Sequence, residues 1–392
     1  MFRVGCVVGA SVSGVLIKYF GPRKILLYTA IPSALAWLPI IFATSAIELC
    51  TGRFFFGLFC SLGTPAVVVY TAEITSPHIR GILLTVGFIL MTFGILFGYA
   101  VGYLLWWDTQ AIVYSVIPLI LLTLFLFPES PRWLITNKKP DEAKRALLKL
   151  RNQRHYIGQE LEEITNNVTK TKEEKLKELL KKKYVKPIIV VIFSTYFLDF
   201  NGYFFMSSFM VIIFQESGGM VMEETLATVL FGIFQFVGVI ISAGAIDKYG
   251  RRVLLMTSLL VMGLTQSALA LYYYLLFSVP SVNMSNFTWM PLLAALLTGL
   301  FFILGIGNIH WVLCGELFPV KIRSVVAGFA VSWNSVLMFV MLQSFFFLKR
   351  LLTLPGLFAY ASINCFFGVA FIYKCLPETW NIPLEEIETL WK

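Results

Sequence analysis

The chain has 392 residues, of which 58% are hydrophobic and only 14% are charged, and its mean hydropathy is +0.79. Average soluble domains carry about 25% charged residues, so this composition excludes disordered, collagen-like and disulfide-rich secreted proteins. It also argues against a soluble enzyme, because one soluble core could not bury so much apolar surface. A helical membrane protein with many spans is the class that remains.

Apolar runs between charged or turn residues predict eleven membrane-spanning helices. A span needs about 20 mostly apolar residues, and its backbone must form its own hydrogen bonds inside the hydrocarbon. The predicted spans lie near residues 4–18, 25–43, 49–70, 82–104, 111–127, 187–213, 226–246, 253–277, 291–314, 325–348 and 356–375. None of these runs alternates apolar with polar residues as a membrane barrel strand does, so the predicted fold is all-α.

The basic residues predict the orientation of the chain. Of the 31 Lys and Arg residues, all but four lie in or beside the segments 18–24, 71–81, 128–186, 247–252, 315–324 and 376–392. Cytoplasmic loops are rich in basic residues, so these segments and the C-terminus are predicted to face the cytoplasm. The four exceptions are Arg3, Arg53, Lys349 and Arg350. The net charge of +9 therefore indicates membrane topology and no nucleic-acid partner.

The sequence offers no catalytic, cofactor or metal motif. Six cysteines lie in or beside apolar spans without a CxxC pair, and His310 has no second histidine or carboxylate at ligand spacing. Arrangements typical of nucleophilic catalysis and glycine-rich phosphate loops are also missing from the sequence. We therefore expect neither an enzyme nor a cofactor.

Three loop motifs occur twice, in the same order and on the same predicted side of the membrane. The pairs are Gly21–Lys24 with Gly250–Arg252, Glu73–Arg80 with Glu316–Arg323, and Pro128–Ser130 with Pro377–Thr379. Parallel repeats of this kind are one architecture of secondary transporters, in which the substrate site lies between the halves near the midplane.

The repeat predicts four parts of the chain. These are a first helical half at 1–127, a cytoplasmic helical loop at 128–186, a second helical half at 187–375 and a cytoplasmic tail at 376–392. Amphipathic patterns in the loop predict helices on the cytoplasmic membrane face, with lipid as a partner. The second half has six predicted spans and the first has five, so symmetry predicts a missing helix before Val4.

The motifs together resemble those of the sugar porter family of the major facilitator superfamily, and the overall pattern is similar to the insect branch that contains facilitated trehalose transporters. The resemblance covers nearly the whole chain, without the family's first helix. It rests on Gly52–Gly57, Tyr70–Glu73, Pro128–Leu134, Asp247–Arg252, Trp311 and Pro377–Thr379. It implies a major facilitator fold of two pseudo-repeated halves. It also implies facilitative movement of a sugar, trehalose or hexose, across the plasma membrane by alternating access.

Charged residues at the cytoplasmic helix ends are predicted to form a gate. Arg–carboxylate pairs there would lock the inner ends of the two halves in one state and break in the other. The alternative is a static role in anchoring the helix ends. The set comprises Glu73, Arg80, Glu129, Arg132, Arg251, Arg252, Glu316, Arg323 and Glu378.

Polar residues inside the spans are candidates for the substrate site. Burying a polar side chain in a membrane is costly, so residues that remain there commonly have a function. A sugar site needs several hydrogen-bonding groups and an aromatic ring. The resemblance places Gln235, Trp311 and Asn334 at sugar-binding positions of the family. Asn308 and His310 replace two prolines of a family motif. The predicted substrate contacts are Asp199, Asn201, Gln235, Asn308, Trp311 and Asn334.

Asp199 stands where the resemblance implies a glutamine, in the run Leu198–Gly202. It could bind a hydroxyl, carry a proton or pair with another span. The family's sugar-binding amides are also lost at Leu198, Phe88 and Phe204. These changes argue against ordinary glucose selectivity. They leave open a different or larger sugar, another small organic solute, or a truncated sensor that does not transport.

Two further predictions concern the outer side. Arg53 matches an arginine that pairs with an aspartate on the first helix of proton-coupled sugar porters, and interfacial snorkelling is its alternative. Asn283 and Asn286 begin glycosylation sequons in a predicted outer loop.

Overall fold

A computed structural model describes residues 1–75, 77–151, 157–170, 182–217, 223–279, 283–317 and 320–378. These residues fold almost entirely into helices, and the described ranges contain no β-strand, as the all-α prediction requires. Ten helical runs are long and apolar enough to cross a membrane. Each of the predicted spans overlaps one of these runs, and the last run, Gly328–Cys375, contains two predicted spans in 48 residues.

The helices group into two compact units. The first unit is Met1–Val86 with Leu105–Glu178, and the second is Gly87–Leu104 with Leu179–Lys392. This division differs from the predicted halves at residues 87–104, which pack with the second unit. There Phe93 lies edge-on to Phe236, with ring centroids 6.0 Å apart.

The first unit holds nine helices in its described part, counting the one it shares. They are α1 (Phe2–Phe20), α2 (Pro22–Leu35), α3 (Leu38–Ile41), α4 (Ala46–Ile74), the start of α5 (Pro77–Leu104), α6 (Trp107–Val116), α7 (Pro131–Thr136), α8 (Pro140–Leu150) and α9 (Ile157–Lys170). A 3-10 segment, Ile117–Leu126, continues α6.

Small residues bring α1 and α4 together. A Cβ atom on Gly5 would lie 2.1 Å from the Phe54 carbonyl oxygen, and one on Gly57 would lie 2.1 Å from that of Phe2. The Ser61 hydroxyl donates to the Cys6 carbonyl across the same interface at 2.9 Å. Close backbone approach through small residues is a common way to pack helices in a membrane, where no hydrophobic drive joins them.

The second unit is built around one continuous apolar core. Besides the rest of α5, its helices are α10 (Lys182–Asp199), α11 (Tyr203–Gln215), α12 (Glu224–Tyr249), α13 (Arg251–Ser278), α14 (Met290–Leu304), α15 (Ile306–Glu316) and α16 (Val320–Cys375). Two of these junctions interrupt a predicted span, between α10 and α11 and between α14 and α15. Interruptions place polar backbone groups at depth in the membrane, which is tolerated only inside protein.

Helix α16 folds back on itself at Thr353, whose φ of 62° is non-helical. In a straight helix Asn334 and Asn364 would lie about 45 Å apart. Instead Asn334 contacts Asp199, while Asn364 accepts a hydrogen bond from the Tyr196 hydroxyl at 2.8 Å. Both partners are on the last turn of α10. The two segments of α16 therefore both pass the C-terminal end of α10, one before and one after the fold at Thr353. This explains why one helical run contains two predicted spans.

Candidate functional site

The break between α10 and α11 is held open by hydrogen bonds of Asn201. Its Nδ2 donates to the Leu198 carbonyl at 3.0 Å, and its Oδ1 accepts from the backbone N–H of Tyr203 at 2.9 Å. Gly202 follows with φ of 90°, a left-handed conformation that glycine adopts without steric cost. Asn201, predicted to contact sugar, is thus placed as a cap of both helix ends.

Asp199 and Asn334, two predicted contacts, meet in the second unit. The Nδ2 group of Asn334 donates to both carboxylate oxygens of Asp199, at 2.9 and 3.1 Å. Asp199 is only 1% exposed, so its charge depends on hydrogen bonds for stabilisation. The pair joins the end of α10 to the first segment of α16.

Gln235 lies on α12 and is fully buried. Its Oε1 accepts a hydrogen bond from the Tyr203 hydroxyl at 2.9 Å. The Tyr99 hydroxyl also interacts with this amide, but among the described residues Nε2 makes no hydrogen bond of normal geometry. Gln235 therefore presents an unsatisfied donor inside the unit.

Asn308 lies on the first turn of α15, beyond the interruption at Gly305. Its Nδ2 donates to the Ser242 hydroxyl at 3.4 Å, and Oδ1 has no hydrogen-bond partner in the described part of the chain. The interruption is stabilised by Ser258, whose hydroxyl accepts from the backbone N–H of Ile306 at 3.2 Å. Asn308 thus presents an unsatisfied acceptor.

His310 is buried among hydroxyl groups of α10. Its Nδ1 lies 3.1 Å from the Ser194 hydroxyl and its Nε2 lies 3.3 Å from that of Thr195. The hydroxyl groups of Thr195 and Ser194 also lie 2.7 and 3.1 Å from the Val191 carbonyl, so this carbonyl competes with the imidazole ring for their hydrogens. His310 thus has a hydroxyl group beside each ring nitrogen. No metal-binding cluster of His, Cys, Asp and Glu occurs among the residues described.

Aromatic side chains lie beside His310 and around the apolar core of the second unit. Trp311 is half-buried, packs against the apolar core and lies 5.1 Å from the His310 ring. Phe88 and Phe204, at two of the lost amide positions, also pack against this core, and Leu198 is buried within it. The positions where the sequence analysis expects lost amides thus carry apolar side chains that belong to this core or pack against it.

Two residues that the sequence analysis missed complete these contacts. Tyr203 bonds Gln235, and Ser242 bonds Asn308. The available signal was a tyrosine hydroxyl inside an apolar span, which must find a partner when buried. The sequence alone did not identify that partner.

The predicted gate residues include two carboxylates that cap helices within their own units. Glu129 accepts from the backbone N–H groups of Arg23 and Lys24, at 3.0 and 3.3 Å. Glu378 accepts from those of Arg251 and Arg252 in the same way, at 3.1 and 3.2 Å. The repeated loop motifs therefore correspond to a repeated structure, in which a distant carboxylate binds the positive end of α2 or α13.

The other predicted gate residues have separate surroundings. Glu73 accepts from the Ser130 hydroxyl, Arg132 is exposed, and the guanidinium of Arg252 donates to the Tyr373 carbonyl. The side chains of Arg80, Glu316 and Arg323 lie outside the described residues. A lock between the halves stays a prediction.

On the predicted outer side, Arg53 is exposed and lies over the Trp37 ring, 5.9 Å from its centroid. Asn283 and Asn286 are exposed in the loop before α14. Lys349, an exception to the basic-residue rule, forms an ion pair with Glu216 at the end of α11.

Comparisons with known proteins agree with this geometry. The family model described as "Sugar (and other) transporter" matches residues 1–391. The facilitated trehalose transporter Tret1 of Apis mellifera ligustica is 31% identical over 390 residues, covering 98% of this chain and 77% of that protein. Tret1 of Bombyx mori is 30% identical over 392 residues, covering 99% and 77%.

Solved structures give the same fold. The xylose transporter XylE from E. coli, in a partially occluded inward-open conformation, superposes with a TM-score of 0.79 at 21% identity, covering 96% of this chain and 86% of that one. A major facilitator superfamily proton:xylose symporter XylE bound to 6-bromo-6-deoxy-D-glucose gives a TM-score of 0.78 at 22% identity, covering 100% and 88%. The chain thus has the major facilitator fold.

Proposed function

Because the chain belongs to the Sugar (and other) transporter family, we propose that it moves a sugar across a membrane by alternating access. The observation that carries this proposal is the pair of buried amides in the second unit. Gln235 presents a donor and Asn308 an acceptor, and neither atom has a hydrogen-bond partner in the described part of the chain. A sugar hydroxyl both accepts and donates, so hydroxyl groups complement both amides.

The interruptions in the helices support movement of the substrate through this site. Transporters commonly bind substrate where helices are discontinuous, and alternating access needs elements with two arrangements. Asn201 and Asn308 each stand at an interruption. We infer that hinge movements at Gly202 and Gly305 reposition Gln235 and Asn308 between states.

We propose trehalose or a hexose as the sugar and facilitative transport as the mode. The named insect relatives are facilitated trehalose transporters. Phe88 and Phe204 give this site apolar faces that suit the faces of a sugar ring. The proposed location is the plasma membrane, with the C-terminus in the cytoplasm and glycans on Asn283 and Asn286.

A second candidate is a carrier for another small organic solute. Asp199 favours it, because a buried carboxylate, which here accepts hydrogen bonds from the Asn334 amide, would attract a cationic group as well as a hydroxyl. Competition experiments separate the two, since a cationic solute would then compete with labelled substrate and neutral sugars would not.

Uptake by the full chain in proteoliposomes tests the proposal. Labelled trehalose and glucose are offered to vesicles containing the wild-type protein, the Gln235→Leu variant or the Gln215→Leu control, whose amide is exposed at the end of α11. We expect saturable uptake by the wild type and the control and at least a tenfold loss with Gln235→Leu. Absence of saturable uptake of either sugar by the wild type would contradict the proposal.

A further inference from the structure

Tyr203 is held rigidly at the start of α11. Its ring lies flat on Phe302, with centroids 3.6 Å apart and planes 3° apart, and the Phe231 ring lies 5.9 Å away at an interplanar angle of 29°. Its backbone N–H is bound by Asn201, and only 4% of the residue is exposed. The hydroxyl therefore has one fixed position.

That hydroxyl determines which end of the Gln235 amide is free. A side-chain amide has an acceptor oxygen and a donor nitrogen, and either end could face a ligand. Tyr203 donates its only hydrogen to Oε1 at 2.9 Å, which leaves the two N–H groups of Nε2 facing away from it. Nε2 makes no hydrogen bond within the described residues, so Gln235 is left as a donor.

Ser242 fixes the opposite orientation at Asn308. The Ser242 hydroxyl donates its hydrogen to the Leu304 carbonyl at 3.2 Å, so its oxygen can only accept from a neighbour. Asn308 meets it with Nδ2 at 3.4 Å and keeps Oδ1 unpaired. Asn308 is therefore left as an acceptor.

One face of α12 carries both Gln235 and the Ser242 hydroxyl that binds the Asn308 amide of α15. Gln235 and Ser242 are seven residues apart on α12, which places them on the same face about 10 Å apart along the axis. Two hydroxyl groups on one sugar ring, each adding a hydrogen bond of about 2.9 Å, can bridge such a distance. The pair thus matches a ligand that accepts at one hydroxyl and donates at another.

We propose that Tyr203 and Ser242 are specificity-determining positioning residues, which fix Gln235 as a hydrogen-bond donor and Asn308 as an acceptor toward the sugar. This inference rests on the proposed function. It assigns opposite polarity to two hydroxyl groups of the substrate, one that must accept and one that must donate.

Deoxy and deoxyfluoro analogues of glucose and trehalose test the assignment as competitors of labelled sugar in proteoliposomes. A carbon-bound fluorine accepts a hydrogen bond weakly and cannot donate. At the hydroxyl that meets Gln235, we expect the fluoro analogue to recover affinity that the deoxy analogue loses. At the hydroxyl that meets Asn308, we expect both analogues to bind equally poorly.

The variant Tyr203→Phe removes the hydroxyl and keeps the stacked ring. The Gln235 amide is then free to turn, so the affinity ratio of fluoro to deoxy analogue at its hydroxyl should fall by about two- to tenfold. Ser242→Ala should leave that ratio unchanged and let the fluoro analogue recover affinity at the Asn308 hydroxyl. Tyr273→Phe is the matched control, because its buried hydroxyl donates to the Ile213 carbonyl at 2.9 Å rather than to Gln235.

Three outcomes would overturn the assignment. Tyr203→Phe could weaken all analogues in equal proportion, which would be a structural effect only. In Tyr203→Phe, the affinity that the fluoro analogue recovers over the deoxy analogue could instead increase. That result would mean that Oε1 of Gln235 faces the ligand in the wild type. If Tyr203→Phe does not fold, Gln235→Glu takes its place. This variant keeps an acceptor for Tyr203 and removes the donor. An unchanged affinity ratio of fluoro to deoxy analogue at the hydroxyl that meets residue 235 would then contradict the proposal. Failure of the wild type to take up any sugar would instead reject the proposed function.

Discussion

Asn334 binds Asp199 through both carboxylate oxygens, at 2.9 and 3.1 Å, across 135 residues of sequence. The contact joins the end of α10, at the interruption before α11, to α16. Asp199 is the one carboxylate among the predicted substrate contacts, and a neutral amide donates to both of its oxygens.

This contact predicts strong coupling between the two side chains. Asn334→Leu leaves a buried carboxylate without its amide, so we expect it to destabilise the protein by about 1.5–3 kcal/mol. The double variant Asp199→Leu/Asn334→Leu should cost less than the sum of the single changes. Thermal unfolding in detergent measures both.

A neutral pair between the same helices is the control. Tyr196→Phe removes the hydrogen bond to Asn364, and we expect about 0.5–1.5 kcal/mol for that loss. Additive effects of the Asp199 and Asn334 changes would show that the pair is not energetically coupled.

Gly202 predicts a second effect on stability. Its φ is +90°, and an added Cβ would lie 2.7 Å from Cδ of the Gln266 side chain. Gly202→Ala should therefore cost about 1–2 kcal/mol for the left-handed backbone and more for the clash, with a lower melting temperature.

Gly244→Ala provides the comparison, because an added Cβ there meets nothing within 4 Å and alanine favours the helix. We expect an unchanged or slightly higher melting temperature. Adding Gln266→Ala to Gly202→Ala should recover only the part due to the clash. Equal melting temperatures for the two glycine variants would argue against the strained interruption.

The repeated caps predict matching effects in the two units. Glu129→Gln and Glu378→Gln each keep one acceptor oxygen but remove the charge at the start of α2 or α13. We expect each to lower stability by about 1–2 kcal/mol, as charged caps and hydrogen bonds to charged groups do. Unfolding of purified protein by heat gives the comparison.

Glu142→Gln is the control for charge loss alone. Its carboxylate forms a surface pair with Lys139 at 3.2 Å, with about half of each side chain exposed, and such pairs contribute about 0–1 kcal/mol. If the three variants behave alike, the caps at Glu129 and Glu378 have no special role.

The loop before α14 predicts a modification that reports orientation. Asn283 and Asn286 are exposed there and start sequons that are used only on the outer side. Expression in insect cells should give a mobility shift that glycosidase removes and that Asn283→Gln/Asn286→Gln abolishes. A shift that survives in this double variant, or its absence from the wild type, would contradict the proposed outer location.

Hydropathy was enough to predict the helices, because each span needs a long apolar run regardless of its neighbours. The repeated motifs predicted two related halves, but the sequence analysis did not predict that Glu129 and Glu378 would cap helices. Their acceptors are used on backbone N–H groups of the same unit. Sequence shows which charges recur, but it does not show which donors they reach.

The sequence predicted which residue types form the candidate substrate site, but it did not predict their hydrogen-bond partners. Asn201, Gln235 and Asn308 were expected because polar groups in spans are costly. Their roles differ because Asn201 caps an interruption, whereas the two others keep an unpaired atom. Lys349 makes the same point, since its position contrary to the basic-residue rule is balanced by Glu216.

Counterflow in proteoliposomes tests the central claim, alternating-access sugar transport, most directly. Vesicles containing the full chain are loaded with unlabelled trehalose or glucose and diluted into a trace of the labelled sugar. An alternating-access carrier should accumulate label transiently above its equilibrium level, and Gln235→Leu should abolish this overshoot while Gln215→Leu keeps it. Entry of label without an overshoot would indicate a pore, and no entry at all would contradict sugar transport by this chain.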